Sequence, residues 1–285
     1  MTETAVRATA RRKATPGRVV SRVTLYAGLA VGAAAMAFPF YWTLVTSLTG
    51  HARLTALQPW PSAPTLDAYR TLLDTLPFLR IVGNSLWVAV LSTVVQLLTS
   101  AMAAYVFARM PFRGREALFV AYLSTMMIPQ AVLVVPLFIE MRMLRLVDTP
   151  LGLLVPSLTS VFAVFLLRQA IRAIPQELED AAVIDGAGHF RIFGTIALPL
   201  IRPILATLGV LAFMGSWNNF LWPLIIIRSP EYMTLPLGLA TLRGQYTNPW
   251  EVVMAGSIVS ILPLALLYLV AQRFVIQGIA RTGIK

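Results

Sequence analysis

Six long apolar segments follow one another along the chain, and the segments between them carry nearly all of its charge. Apart from Arg202 at the border of the fifth, the six contain no Lys, Arg, Asp or Glu. Their approximate bounds are 24–48, 83–108, 117–137, 150–167, 201–227 and 252–272. A helix of about 20 apolar residues spans a bilayer with its backbone groups satisfied. Barrel strands would be shorter and would alternate in polarity. The pattern therefore predicts an all-α, polytopic membrane protein with six transmembrane helices.

Composition supports this fold class and removes several kinds of chemistry. The chain has 285 residues, of which 58% are hydrophobic and 12% charged, whereas a soluble chain would carry about 25% charged residues. It has no cysteine and two histidines, so disulfides and thiol catalysis are excluded. We predict no metal site.

The distribution of positive charge predicts the orientation in the membrane. With the amino terminus inside the cell, the inner segments hold 16 of the 23 Lys and Arg residues. Cytoplasmic segments are enriched in these residues. We therefore expect a multi-pass membrane protein with both termini cytoplasmic. The net charge of +11 then faces anionic lipid rather than nucleic acid.

The first apolar segment has two interpretations. A basic lead and small residues at Ala33, Ala35 and Ala37 are typical of a cleaved signal peptide. The apolar run continues to Leu48, however, which is longer than a signal core and favours a retained helix. We expect a basic tail at 1–22, a transmembrane domain at 23–277 and a second tail at 278–285.

The polar segment between the fourth and fifth spans is unusually long for a connection between bundled helices. Its central part, 171–200, predicts a helix–turn–helix. Acidic residues follow Pro175, where they complement the dipole of a new helix, and Gly186 is placed to end it in the left-handed conformation. A second helix is expected at Phe190–Ile196, before Pro199. By local pattern alone, this could be a hairpin that only packs against the bundle.

The loop also resembles the EAA signature of ATP-binding-cassette (ABC) importer permeases. The matching residues are Asp180, Ala181, Ala182, Gly186, Ile196, Leu198 and Pro199, with aspartate in place of glutamate. Further segments resemble the smaller, six-span subunits of the maltose-type, sugar-importing branch. These segments are 84–86, 104–109, 127–129, 184–187 and 217–220.

This resemblance implies partners and a role for the loop. In that family the loop is a coupling helix that seats in a cytoplasmic ATPase. The residues implied here are Glu177, Asp180, Ala181, Ala182, Asp185, Gly186, Ile196, Leu198 and Pro199. The implied partners are a second, non-identical permease, two ATPase subunits, an extracytoplasmic solute-binding protein and membrane lipid. ATP and Mg would be used by the ATPase, and this chain would bind no cofactor.

Uncharged polar residues inside the spans are candidates for a solute pathway. Trp217, Asn218 and Asn219 combine an aromatic face with two amides, which suits a hydroxyl-rich ligand. Gln130 is a further candidate. Trp217 could equally belong to an aromatic belt at the membrane interface.

Several other functions are disfavoured by the sequence. The chain lacks a P-loop and the common hydrolase and zinc-protease motifs, so we predict a permease and no enzyme. The spans lack the midplane ionisable residues typical of ion-coupled secondary transporters. We expect the imported solute to be a carbohydrate, a polyol or a sugar phosphate, and a non-sugar solute remains the alternative.

Overall fold

The computed structural model describes residues 16–50, 59–61, 63–245 and 250–282, and within these its regular elements are helical. A π-helical segment lies at Phe193–Ala197, and short 3-10 turns join several helices. The α-helices are α1 (Pro16–Ser47), α2 (Asp67–Thr75), α3 (Phe78–Arg109), α4 (Arg115–Ser124), α5 (Gln130–Met143), α6 (Pro150–Leu154), α7 (Val161–Arg172), α8 (Glu177–Ile184), α9 (His189–Ile192), α10 (Leu198–Leu200), α11 (Arg202–Trp217), α12 (Leu221–Ile226), α13 (Leu235–Gln245) and α14 (Trp250–Thr282).

Four of the predicted spans are long apolar stretches that could cross a membrane. They lie at Arg22–Ser47, Phe78–Arg109, Arg202–Ile226 and Trp250–Gln272. The predicted third and fourth spans are instead broken helices, bent by 102° and 45°. The structure thus holds four candidate spans among the described residues, or six if each bent pair counts as one. The sequence predicts two tails, at 1–22 and at 278–285. Residues 1–15 of the first and 283–285 of the second lie outside the described residues.

The sharper bend follows from a proline. Pro129 offers no amide for a helical hydrogen bond and forces Ile128 into an extended conformation, with φ −82° and ψ 117°. Helix α5 then begins at Gln130. At the second break, the side chain of Ser160 caps α7 by accepting a hydrogen bond from the Ala163 amide. Both breaks correct the expectation of continuous third and fourth spans.

Helix α3 is the central element of the bundle. It packs against α7 and α11, and it also contacts α2, α4, α6 and α13. One buried cluster surrounds its carboxyl-terminal end, together with α7 and the chain from Ile192 to Leu208. Two others surround its amino-terminal half, one with α2, α13 and α14, the other with α6 and α12. Motion of α3 would therefore reach most of the bundle.

A carboxylate ties the connection between α5 and α6 to the connection after α12. Asp148 accepts hydrogen bonds from the backbone amides of Arg228 and Ser229, both at 2.9 Å, and from the Ser229 hydroxyl. Partial burial raises the pKa of Asp148, but these hydrogen bonds and the Arg228 charge outweigh it and lower the pKa below its usual value. The carboxylate form therefore holds the two connections together.

Candidate functional site

The first half of the loop at 171–200 forms the predicted helix α8, ended by a glycine cap. Gly186 has φ +78°, as its position in the sequence predicts. Its amide donates to the Val183 carbonyl at 2.9 Å, and the Ala187 amide donates to the Ala182 carbonyl at 2.8 Å. These are the two hydrogen bonds of a Schellman motif. The turn after α8 thus depends on a residue that adopts positive φ without strain.

The second half of the loop differs from the predicted helix at Phe190–Ile196. A short α-helix covers His189–Ile192, and a π-helix follows at Phe193–Ala197. The Leu198 amide reaches the Phe193 carbonyl, five residues back. Pro199 has no amide to offer the Thr195 carbonyl, so the regular α-helical register cannot continue here. The prediction was wrong in both the bounds and the type of this helix.

The residues implied by the resemblance fall into two groups. Glu177, Asp180, Ala181, Asp185 and Gly186 are exposed. Ala182, Ile196, Leu198 and Pro199 are half-buried, and the first three of these pack against the buried cluster at the end of α3.

Two large apolar side chains lie on the exposed face of the loop. Ile184 is 87% exposed and Phe190 is 84% exposed. Exposed apolar side chains next to carboxylates form a surface suited to a protein partner.

Sequence reasoning missed the residue that anchors α8. Glu179 is buried, and its carboxylate accepts a hydrogen bond from Arg109 Nε at 2.7 Å. Arg109 also donates through Nη2 to the carbonyls of Ile171 (2.9 Å) and Ile174 (2.7 Å). The available signal was Arg109 itself, a fixed charge at the end of an apolar span, which needs a partner when buried.

A second buried arginine joins α7 to the neighbouring helices. Arg168 donates to the Phe107 carbonyl at 3.1 Å and forms an ion pair with Glu116 at 2.5 Å. Its guanidinium carbon lies 3.9 Å from the centroid of the Phe119 ring, a cation–π contact. Arg109 and Arg168 together connect α3, α4, α7 and α8 at one end of the bundle.

A cleft of about 430 Å³ lies on α13 and α14 beside the end of α11. Its lining is Asn218, Phe220, Pro236, Leu239, Ala240, Val253, Ser257, Ser260, Ile261 and Leu264. The lining is apolar with one amide and two hydroxyls, and it contains no charged side chain. Such a surface suits a neutral, hydroxyl-bearing molecule.

The structure separates the predicted solute residues. Asn218 is exposed, lines the cleft, and donates through Nδ2 to the Met214 carbonyl at 3.0 Å. Asn219 accepts a hydrogen bond from the Trp222 amide, in the first turn of α12, at 3.3 Å. Gln130 is exposed at the first residue of α5, where the third span bends, and is not part of the cleft lining.

Trp217 lies in the packed interior of this chain. It is 1% exposed, stacks on Phe213 with centroids 5.8 Å apart, and donates from Nε1 to the Ser260 carbonyl at 3.1 Å. Sugar stacking and an interfacial belt both need an accessible ring. The tryptophan instead fixes α11 against α14, behind the wall of the cleft.

Residues 96–281 match the family model of the binding-protein-dependent transport system inner membrane component. The chain belongs to this family. Its members are permease subunits of transporters rather than enzymes. Within the described residues, no three His, Asp or Glu side chains come together as potential metal ligands of this permease.

The permease is similar to several curated relatives. It is 42% identical over 203 residues to the arabinooligosaccharides transport system permease protein AraQ of Halalkalibacterium halodurans, covering 71% of this chain and 73% of that protein. It is 34% identical over 278 residues to the inner membrane ABC transporter permease protein YcjP of Escherichia coli, covering 95% and 99%. It is also 32% identical over 256 residues to the lactose transport system permease protein LacG of Rhizobium radiobacter, covering 90% and 94%.

The fold of the permease is also found in a solved structure. A chain in the crystal structure of a bacterial ABC transporter involved in the import of the acidic polysaccharide alginate superposes with a TM-score of 0.82 and 24% sequence identity. The match covers 92% of this permease and 98% of that chain. At this identity the likeness shows the fold alone.

Proposed function

We propose that this permease is the transmembrane subunit of an ATP-driven ABC importer that moves a carbohydrate, or a related polyol or sugar phosphate, across the bacterial inner membrane. The observation that carries the proposal is the similarity to permeases named for arabinooligosaccharide and lactose transport over most of the chain. The cleft independently favours the neutral members of this group, a carbohydrate or a polyol, because its lining offers hydroxyl and amide groups and no charge. A charged solute would favour a fixed opposite charge there.

The complex that we propose contains a second, non-identical permease, two ATPase subunits and an extracytoplasmic solute-binding protein. A related structure of low identity, for the alginate transporter, is in complex with a periplasmic protein bound to an alginate pentasaccharide. ATP and Mg would be bound by the ATPases, and this chain would bind neither.

In this proposal the exposed face of the loop at 171–200 seats on an ATPase. Ile184 and Phe190 would enter an apolar groove, and Glu177, Asp180 and Asp185 would meet basic side chains around it. Closure of the ATPases on ATP would pull the loop and bias the two permeases between inward-facing and outward-facing states.

One experiment distinguishes the proposed function from an ion-coupled secondary transporter and prepares the test of an importer for a non-sugar solute. The tagged chain is expressed from its native locus, purified in mild detergent, and its partners are identified by mass spectrometry. We expect an ATPase and a second permease in the preparation. Purification without any ATPase would favour an ion-coupled secondary transporter. An importer for a non-sugar solute would retain the partners and differ only in the solute that it transports.

A single-cysteine experiment tests the orientation. The chain has no native cysteine, so His189→Cys, at an exposed loop position, gives one reactive thiol. We expect no reaction with a membrane-impermeant maleimide in intact spheroplasts and full reaction after lysis, because the excess of positive residues in the inner segments, 16 of 23, favours a cytoplasmic loop. Leu66→Cys, in the connection expected outside, is the positive control. Labelling of the loop from outside would reverse the topology.

Replacement of Asn218 tests the cleft as part of the solute pathway. The loss of one hydrogen bond to an uncharged solute costs about 0.5–1.5 kcal/mol. We therefore expect Asn218→Ala to raise the KM for uptake several-fold while kcat is retained. Asn219→Ala is the comparison: it removes the hydrogen bond to the Trp222 amide, worth about 0.5–1.5 kcal/mol, and should reduce the amount of folded protein instead. An unchanged KM in Asn218→Ala would show that the Asn218 side chain bonds the Met214 carbonyl but does not bind the solute.

A further inference from the structure

The two ends of α3 hold different functional regions of the chain. Near its carboxyl-terminal end, Tyr105 and Arg109 lie one helical turn apart and contact the two halves of the loop at 171–200. Near its amino-terminal end, Asn84 and Ser85 hold the start of α13, which forms one wall of the cleft. Helix α3 is continuous between these points and, at 32 residues, about 48 Å long.

The attachment of α3 to the loop is a buried ion pair. The side chains of Arg109 and Glu179 are 11% and 10% exposed, and Nε and Oε1 lie 2.7 Å apart. The same guanidinium serves two carbonyls at the end of α7, at Ile171 and Ile174. Because water has little access to these groups, a separated pair would leave a buried charge without a partner. Helix α8 is therefore bound to α3 more firmly than by surface contacts.

The second half of the loop is attached to the same face of α3. The ring of Phe193, in the π-helix, packs at 56° on the ring of Tyr105, with centroids 5.3 Å apart. The Tyr105 hydroxyl is buried and has no hydrogen-bond partner among the described residues. The loop is thus held by the hydrogen bonds of Arg109 and by the aromatic contact of Tyr105, on adjacent turns of α3.

The amino-terminal end of α3 is attached to the α13 wall of the cleft by hydrogen bonds between its side chains and backbone groups. A displacement of α3 relative to α13 would break these bonds. The Asn84 amide donates to the carbonyls of Glu231 (2.8 Å) and Met233 (3.0 Å). The Ser85 hydroxyl accepts from the Leu235 amide, at the first residue of α13, at 2.5 Å. One turn further along α13, Gly238 lets the backbone approach the side chain of Ile81. Pro236, Leu239 and Ala240 of the same helix line the cleft.

We propose that α3 is a lever that transmits displacement of the loop to the α13 wall of the cleft, with Arg109 and Glu179 as its inner attachment and Asn84 and Ser85 as its outer attachment. All four are positioning residues. The proposal rests on the proposed function, because it assigns the displacement to ATPase closure. It adds a physical route from the loop to the solute site, and that route runs within this chain.

The test compares uptake with ATP hydrolysis in the complex reconstituted into proteoliposomes. In Glu179→Gln, we expect uptake per ATP hydrolysed to fall about tenfold while the hydrolysis rate is retained. Asn84→Ala, at the opposite end of α3, should give the same signature. Arg113 is an exposed arginine in the connection between α3 and α4. Arg113→Gln is the control for the loss of a positive charge, because it removes the same charge as Arg109→Gln. It should change neither the rate of uptake nor the rate of ATP hydrolysis. The double variant Arg109→Glu/Glu179→Arg should recover part of the lost uptake.

The combination of the two ends decides between a lever and separate roles. If α3 acts in series, a break at either end is sufficient, so Glu179→Gln/Asn84→Ala should lose no more uptake than the worse single variant. Independent roles would multiply the two losses. Multiplied losses, or a parallel fall in hydrolysis and uptake, would overturn the proposal.

Hydrogen exchange of the full chain in nanodiscs tests the inner attachment, the Arg109–Glu179 pair, independently of any transport measurement. We expect Glu179→Gln and Arg109→Gln to accelerate exchange of the α8 amides, and Arg113→Gln to leave it unchanged. If the wild-type complex transports no sugar, the proposed solute fails while this arm still tests the attachment. Unchanged exchange in all three variants would overturn the attachment itself.

Discussion

Gly186→Val is expected to abolish uptake while the protein reaches the membrane at its normal level. Gly186 has φ +78°, a conformation that costs a residue with a side chain about 1–2 kcal/mol and a β-branched residue more. The substitution would break the two amide hydrogen bonds that end α8 and would reorient the exposed face of the loop. The turn lies outside the candidate spans, so the bundle should still insert.

Gly188→Val is the matched control for this prediction. Gly188 lies two residues away, and a Cβ added at either glycine meets no atom within 4 Å. Its backbone is extended, with φ −79° and ψ 166°, which valine adopts readily. We expect near-normal uptake in this variant and loss of both uptake and ATPase association in Gly186→Val. Equal uptake in the two variants would show that positive φ at position 186 is dispensable.

Gly152→Ala should produce a large loss of stability for the addition of a single methyl group. A Cβ at this position would lie 2.2 Å from the Leu146 carbonyl oxygen and 3.2 Å from Cγ1 of Ile226. The Gly152 carbonyl also accepts the Trp222 indole N–H at 2.9 Å, so the backbone cannot move away without loss of that bond. Overpacking of this kind costs typically about 1–3 kcal/mol, and a backbone neighbour places the expected cost at the upper end.

The same substitution at Gly83 should have the opposite effect. Gly83 is inside α3 and has no atom within 4 Å of an added Cβ, so alanine gains helix propensity of up to about 1 kcal/mol without a clash. Thermal unfolding in detergent, followed by tryptophan fluorescence, should show a lower midpoint for Gly152→Ala and an equal or higher one for Gly83→Ala. A wild-type midpoint in Gly152→Ala would contradict the close approach of α6 to the Leu146 carbonyl.

The features that the sequence predicts well are those with a local cause. The six apolar segments depend on composition alone, and each corresponds to a span or a bent pair in the structure. The left-handed glycine at position 186 follows from residues within one turn of it.

The features that the sequence does not predict depend on packing between distant segments. Pro129 indicates a break, but the residues around it do not give the angle of 102° between the two helices. Glu179 is one of three acidic residues in the first turns of α8, and only the position of Arg109 distinguishes it from Glu177 and Asp180. Trp217 is an aromatic residue that could pack on a sugar, and the sequence alone does not show that it is buried. In the structure it lies in the core, where Nε1 donates to the Ser260 carbonyl of α14.

Uptake of radiolabelled solutes tests the central claim most directly. The permease is reconstituted with its co-purified partners, and uptake is measured with neutral oligosaccharides, with amino acids and with metal ions, in the presence of ATP and of a non-hydrolysable analogue. The proposed function predicts saturable, ATP-dependent uptake of at least one carbohydrate, abolished by the analogue and by omission of the solute-binding protein. ATP-dependent uptake of amino acids or metal ions with none of any carbohydrate would contradict it.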